Sequence, residues 1–197
     1  MKNTGHVLLI NNINGNPHIF LIQEKNKMWG IFGGGQEELD NNSLTQTAVR
    51  ELEEESLGSL QGNPALFKFL DYYSLKGPDG LTNHKTFIAV DSRIKGEDII
   101  VDHPDAPNKG FGDIRNGQFF PLYLVLDAIY SGKKFIIYNN EEYKLRYFFA
   151  EAIRRNREFL YRVFERQNIN AMEARLRLLN IAPVVSIKSA VVSSDRK

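Results

Sequence analysis

The chain has 197 residues, 42% of them hydrophobic and 25% charged, with no cysteine and a formal net charge of +1. That length supports a buried core of ordinary domain size, no stretch approaches the ~20 apolar residues that span a bilayer, and the lack of cysteine excludes disulfides, thiolate catalysis and cysteine-ligated zinc. The sequence therefore predicts a soluble globular protein with no membrane partner, placed in the cytoplasm because the apolar run at 7–10 is too short for a secretory signal.

In chain order, residues 5–10 and 18–23 are apolar runs of strand length around a loop at 11–17 dense in Asn and Gly, which predicts a hairpin. Residues 29–32 form a short third apolar piece. Gly33, Gly34 and Gly35 end it, where the backbone can turn sharply or approach a ligand closely. A helix is expected from Ser43, an N-cap with Gln46 as its capping-box partner, with Leu44, Ala48, Val49 and Leu52 on its apolar side and a stop near Leu57 and Gly58. Runs at 66–75 and 85–90 around Gly-Pro-Asp-Gly at 77–80 predict a second hairpin. Residues 93–117 read as a long loop, 121–130 as a helix ended by Gly132, 142–166 as one longer helix, and 170–179 as a last helix before an unstructured tail.

The chemistry is concentrated on the first of these helices. At ~100° per residue, Glu51, Glu54 and Glu55 share one face. Like charges at such spacing repel, and Arg50 is the one nearby cation, within reach of Glu54 and Glu53. A hard divalent cation removes the repulsion, because Mg²⁺ favours a few carboxylates together with water and substrate phosphates. The neighbouring glycines offer an exposed carbonyl to the metal and N–H groups to phosphate oxygens. Metal beside a phosphate cradle points to attack of water on a diphosphate.

At these residues the chain resembles the Nudix hydrolases, whose signature is G-x5-E-x7-R-E-U-x-E-E-x-G-U with U aliphatic. Gly34 opens the box, and Arg50-Glu51-Leu52-Glu53-Glu54-Glu55 matches R-E-U-x-E-E without a gap. Upstream, Trp-Gly-Ile-Phe-Gly-Gly-Gly at 29–35 is similar to the family's W-x-x-P-G-G, with Phe32 in the proline position. Downstream, Phe119-Phe120-Pro121-Leu122 looks like the strand-to-helix step that closes the fold. The resemblance implies an α/β fold, an α/β/α sandwich around a mixed sheet, over a catalytic domain at 1–135, with a helical C-terminal extension at 136–197 ending in a flexible tail. It implies hydrolysis of a nucleoside diphosphate linked to another moiety, with Mg²⁺ or Mn²⁺ as cofactor and a small nucleotide as partner. Glu51, Glu54 and Glu55 would be metal ligands and catalytic, joined by the Gly33 carbonyl. Arg50 would orient a glutamate, Gly34 and Gly35 would meet the substrate, and Tyr73, or Tyr72 beside it, would stack on a base as in dinucleoside polyphosphate hydrolases.

Gly34 and Arg50 are sixteen positions apart where the signature has fourteen. Counting back from Arg50 puts Asn42 at the first glutamate; counting forward from Gly34 puts Asp40 there. Leu57 and Gly58 stand where the closing glycine and aliphatic belong. Glu37, Glu38, Glu97, Asp98 and Asp113 are further loop acids, read as solvated, while His84 and His103 read as turn or surface residues and Trp29 as packing at the sheet edge. From Lys144 onward twelve Lys/Arg stand against five Asp/Glu. Arg154, Arg155, Arg157, Arg162 and Arg166 interleave with Glu151, Glu158 and Glu165, which reads as an ion-paired, solvated or dimer-facing helix. Two alternatives stand beside the hydrolase: a Nudix-fold nucleotide binder or sensor with impaired hydrolysis, and an RNA 5′-end pyrophosphohydrolase using the basic tail.

Overall fold

The strand β1 (Asn3–Ile13) is the axis of a mixed seven-stranded sheet in the computed structural model, which describes residues 3–60, 69–76, 82–90, 114–167 and 169. β1 runs antiparallel to β2 (Asn16–Glu24) over Ile10 to Ile13 and antiparallel to β4 (Phe32–Gly35) over Thr4 to Val7, so two different strands share one of its edges. Its other edge pairs in parallel with β6 (Asn83–Val90), to which β5 (Phe69–Lys76) adds antiparallel. β3 (Trp29–Gly30) and β7 (Ile114–Pro121) both pair with β2. Parallel pairing at the centre and antiparallel pairing elsewhere make the sheet mixed, as expected.

The period of two along each strand divides the core. Leu8, Ile10, Ile19, Leu21 and Ile88 face one way, and Val7, Leu9, Phe20, Ile22, Phe87 and Ala89 face the other. The second face is covered by α1 (Leu44–Glu55) through Ala48 and Leu52. The first is covered by α2 (Leu122–Tyr130), α3 (Tyr147–Arg155) and α4 (Arg157–Arg166), which bring Val125, Leu126, Phe149, Ile153, Leu160 and Phe164. Helices on both faces complete the α/β/α sandwich. Residues beyond 135 thus share one continuous apolar cluster with β1, β2 and β6. No helix among the described residues is long and apolar enough to cross a membrane.

Several local expectations hold. Ser43 caps α1 by accepting from the Gln46 N–H at 3.3 Å, β7 hands over to α2 at Pro121 and Leu122, and β5 and β6 form the second hairpin. Trp29 is buried on edge strand β3, edge-on to Phe120 and Tyr143 at 5.3 and 5.2 Å.

Four expectations are corrected. The three glycines do not end a strand but form β4, because main-chain pairing with β1 holds them extended. Residues 114–117, read as loop, belong to β7, where they pair with Ile22, Gln23 and Glu24 of β2. The long helix at 142–166 is three elements. Its start is β9 (Glu141–Lys144), which pairs with β8 (Phe135–Tyr138) across two left-handed asparagines, Asn139 and Asn140. The rest divides into α3 and α4 at Asn156, whose ψ of 21° is off-helical and whose side chain donates back to the Ala152 carbonyl at 2.9 Å. Finally, α1 ends at Glu55 with Ser56 as its C-cap, and Leu57, not glycine, takes the first left-handed conformation at φ 52°. The helix at 170–179 and the turn at 77–80 lie outside the described residues.

Candidate active site

Packing of α1 across β1 and β4 brings the acidic face of the helix onto the glycine strand. The two line a cleft of about 510 Å³ with Glu24, Lys25 and Asn26 from the end of β2, Glu37, Ile114 and Arg146. Sequence position alone does not show the reason for two of the three glycines; the geometry does. A Cβ on Gly34 would lie 2.4 Å from the Glu51 carboxyl carbon, so the absence of a side chain is what lets that carboxylate lie over the strand. At Gly33 the backbone has φ +145°, and a Cβ would meet His6 Nδ1 at 2.2 Å. The Gly33 N–H donates to Glu55 Oε2 at 2.7 Å, and the Gly35 carbonyl accepts from Arg50 Nη2 at 2.8 Å.

Arg50 is the hub of the cleft. Its Nη1 lies 3.0 Å from Glu54 Oε2 and its Nη2 3.0 Å from Glu51 Oε1. Its Nε and Nη2 also donate to the two oxygens of Asp40, at 3.0 and 3.2 Å. No bond to Glu53 accompanies these; that side chain is exposed. Asp40 is only 1% exposed and accepts further from Thr47 Oγ1 and the Glu37 N–H, both at 2.9 Å. Asn42 is exposed and left-handed at φ 57°. Of the two residues that could stand for the signature's first glutamate, Asp40 is the one that engages Arg50. The added loop length is taken up by a short 3-10 turn, Glu38–Asp40, followed by two left-handed asparagines.

These contacts shape the electrostatics. Burial pushes the Asp40 carboxyl up, but the hydrogen bonds from Arg50, Glu37 and Thr47 outweigh it and hold the group below its ordinary value. Burial raises Glu51 despite Arg50, with Glu54 adding to the shift. Burial raises Glu55 well above the ordinary carboxylate range; Glu51 and Glu24 reinforce this, against the Gly33 N–H and Arg146. Behind the glycine strand, burial, with His84 and Arg146 nearby, takes His6 down to about 3. Thr4 Oγ1 bridges His6 Nε2 at 2.8 Å and His84 Nδ1 at 2.6 Å, so His84 is a strand residue in a polar chain, not a turn residue.

Glu51, Glu54 and Glu55 are therefore brought to one cleft with Gly33, Gly34 and Gly35. Their side chains do not converge on a point: among the described residues no three His, Asp or Glu form a group able to hold a metal. Arg50 draws Glu51 and Glu54 one way and the Gly33 N–H holds Glu55 another. The donor chemistry still fits a hard divalent cation, since the lining carboxylates supply oxygen ligands only. Tyr73 is corrected: its ring is 4% exposed and packs edge-on against Phe159 in the core shared with α4, where no base can stack on it. Its register opposite Thr86 puts it on the sheet face away from α1. Of the other loop acids, Glu37 lines the cleft and Glu38 is exposed, while Glu97, Asp98, His103 and Asp113 lie outside the described residues. Arg154 and Arg155 pair with Glu151, in keeping with an ion-paired helix. Glu24, Lys25 and Arg146 were missed from sequence. The first two follow an apolar strand as ordinary polar residues, and Arg146 sat inside what read as a helix.

No family profile and no curated protein sequence matches the chain. Solved structures do. The NUDIX domain of Shewanella oneidensis NrtR, in complex with ADP-ribose, superposes at TM-score 0.51 and 19% identity over 80% of this chain and 87% of that one. A MutT/nudix family protein from Enterococcus faecalis superposes at TM-score 0.53 and 16% identity over 90% and 67%. With this sheet order, α1 seated on the glycine strand and these likenesses, the chain has the Nudix fold.

Proposed function

We propose that the chain is a metal-dependent pyrophosphohydrolase that uses Mg²⁺ or Mn²⁺ to cleave a diphosphate linkage in a nucleoside diphosphate joined to another moiety, in the cytoplasm. The observation that carries this reading is the placement of Glu51, Glu54 and Glu55 against Gly33 and Gly34 in one open cleft. Glu51, Glu54 and Glu55, with the Gly33 carbonyl, would hold the cation. A bound divalent ion supplies charge neutralisation on the diphosphate and a lowered pKa for water.

The chain's own residues do the rest. Arg50, fixed by Asp40 and the Gly35 carbonyl, holds Glu51 and Glu54 at the mouth of the cleft and limits their rotamers. One of the cleft carboxylates, Glu51, Glu54 or Glu55, would also take a proton from the attacking water. Gly34 leaves the space that the Glu51 carboxylate occupies, and Gly35 beside it faces open space. Adenine-bearing diphosphates are the first substrates to try, given that the related NUDIX domain is in complex with ADP-ribose. A product-release screen across nucleoside triphosphates, nucleotide sugars, ADP-ribose, dinucleoside polyphosphates and capped RNA, with each metal, tests the reading; metal-independent or absent turnover on every substrate contradicts it.

A second reading, a nucleotide binder with impaired hydrolysis, draws on the commitment of Glu51 and Glu54 to Arg50. Nucleotide-induced thermal stabilisation without product over long incubation distinguishes it.

A further inference from the structure

The cleft is rich in carboxylates, lined by Glu24, Glu37, Glu51, Glu54 and Glu55, whereas a diphosphate substrate brings further negative charge. Metal neutralises part of it, and a protein cation can face the remainder; Lys25, Arg50 and Arg146 line the cleft, and of the two guanidiniums, with their planar forks of donors, one is free to turn to a substrate. Arg50 is not that cation. Its side chain is 12% exposed, and Nε, Nη1 and Nη2 are all committed to Asp40, Glu54, Glu51 and the Gly35 carbonyl. Arg146 differs on each count. Its side chain is 41% exposed, it lines the cleft, and among the described residues its guanidinium has one carboxylate partner, Glu24 through Nη1. A guanidinium carries five N–H donors in a planar fork that matches phosphate oxygens.

Its placement is built, not incidental. The Arg146 N–H donates to the Trp29 carbonyl at 2.8 Å, and Leu145 forms a parallel bridge with Trp29. The aliphatic stem runs beside Gly30, where a Cβ would come within 3.4 Å of Arg146 Cδ. The β8 and β9 hairpin and the start of α3 thereby deliver one cation, 122 residues distant in sequence from Glu24, to the open side of the carboxylate cluster.

We infer that Arg146 is a substrate-binding residue that contacts the diphosphate, with Glu24 as its partner when no substrate is bound. This rests on the pyrophosphohydrolase reading and names the residue that holds the phosphate not neutralised by metal. Substrate binding exchanges the Glu24 carboxylate for phosphate oxygens on the same guanidinium. Loss of Arg146 charge and loss of Glu24 charge therefore act in opposite directions, which a merely structural brace between β2 and α3 does not do.

The test is calorimetric titration of the full chain with α,β-methylene-ADP and Mg²⁺, for the parent, Arg146→Gln, Arg146→Lys and Glu24→Gln, with thermal unfolding of each. The expected result is a Kd raised about tenfold or more in Arg146→Gln, an intermediate rise in Arg146→Lys because the fork is lost but the charge kept, and a Kd unchanged or lowered in Glu24→Gln. Should Arg146→Gln fail to fold, the sign of the Arg146→Lys and Glu24→Gln effects decides. Parental affinity in Arg146→Gln, or equal weakening in Arg146→Gln and Glu24→Gln alongside equal loss of Tm, overturns the inference while leaving the hydrolase reading intact. A parent that neither binds the analogue nor turns over any diphosphate overturns both.

Discussion

Asp40 and Arg50 face each other side-on, Nε to Oδ1 at 3.0 Å and Nη2 to Oδ2 at 3.2 Å, in a bidentate pair whose carboxylate is 1% exposed. Removing Asp40 takes from Arg50 its most buried carboxylate while Glu51, Glu54 and the Gly35 carbonyl remain, at a cost of about 1–3 kcal/mol. Asp40→Ala is therefore expected to lower the unfolding free energy by an amount near that range in urea titration. Adding Asn42→Glu to it should not restore the loss, since Asn42 is exposed and left-handed, and Asp40 is the residue that pairs with Arg50. Rescue by Asn42→Glu would mean that the loop register is wrong.

Three alanine substitutions along one strand should behave in three ways. Gly35→Ala meets open space and is expected to be close to neutral. Gly34→Ala drives a methyl into the Glu51 carboxyl and is expected to reduce turnover sharply while the protein stays folded. Gly33→Ala combines φ +145° with contacts to His6 and the Gly5 carbonyl, so stability should fall by about 1–3 kcal/mol. Thermal unfolding and activity, measured together on the three variants, separate these outcomes.

Stability should fall with acid in a window set by His6. Its folded pKa is about 3 against an ordinary value of 6.5, so below pH 6.5 the unfolded chain takes up a proton that the native state refuses. The neutral-imidazole contribution is complete above about pH 6.5 and is lost progressively as pH falls toward 3, at a slope of up to ~1.4 kcal/mol per pH unit. Asp40, held below its ordinary value, adds a further loss at the acid end, while Glu51 and Glu55, raised by burial, act in the opposite sense, because their folded forms take up a proton before the unfolded chain does. Denaturant titrations at stepped pH should show a shallower acid slope in His6→Gln. An unchanged slope would place the titrating group elsewhere.

The helices after residue 135 are expected to be structural members of the fold. Phe164 is 1% exposed in the cluster it shares with Leu8, Ile10 and Leu160. Phe164→Ala should cost about 3–5 kcal/mol in unfolding free energy, and a loss under about 1 kcal/mol would detach α4 from the core.

What sequence made legible were the features set by local rules. Apolar runs of strand length marked β1 and β2, Ser43 marked the start of α1, and helical spacing put Glu51, Glu54 and Glu55 on one face. Features that depend on what lies opposite were not legible. Glycines at 33–35 read as a turn because their pairing partner is thirty residues upstream in β1. Asp40 and Asn42 were equivalent on counting, and only the path of the 3-10 turn separates them. Tyr73 looked like a stacking residue because alternation does not say which face of the sheet the site occupies. Arg146 carried no signal at all: its importance comes from Trp29, Gly30 and Glu24, over a hundred positions away, and from a hairpin hidden inside a pattern with helical spacing.

The central claim is that the carboxylates of α1 perform metal-dependent diphosphate cleavage, and Glu54→Gln tests it most directly. With a substrate from the screen and saturating Mg²⁺, the parent should turn over, lose activity in EDTA and regain it with Mg²⁺. Glu54→Gln, folded to the same Tm within a few degrees, should be slower by about a hundredfold or more. A Glu54→Gln variant that hydrolyses the substrate as fast as the parent would contradict the assignment of the site.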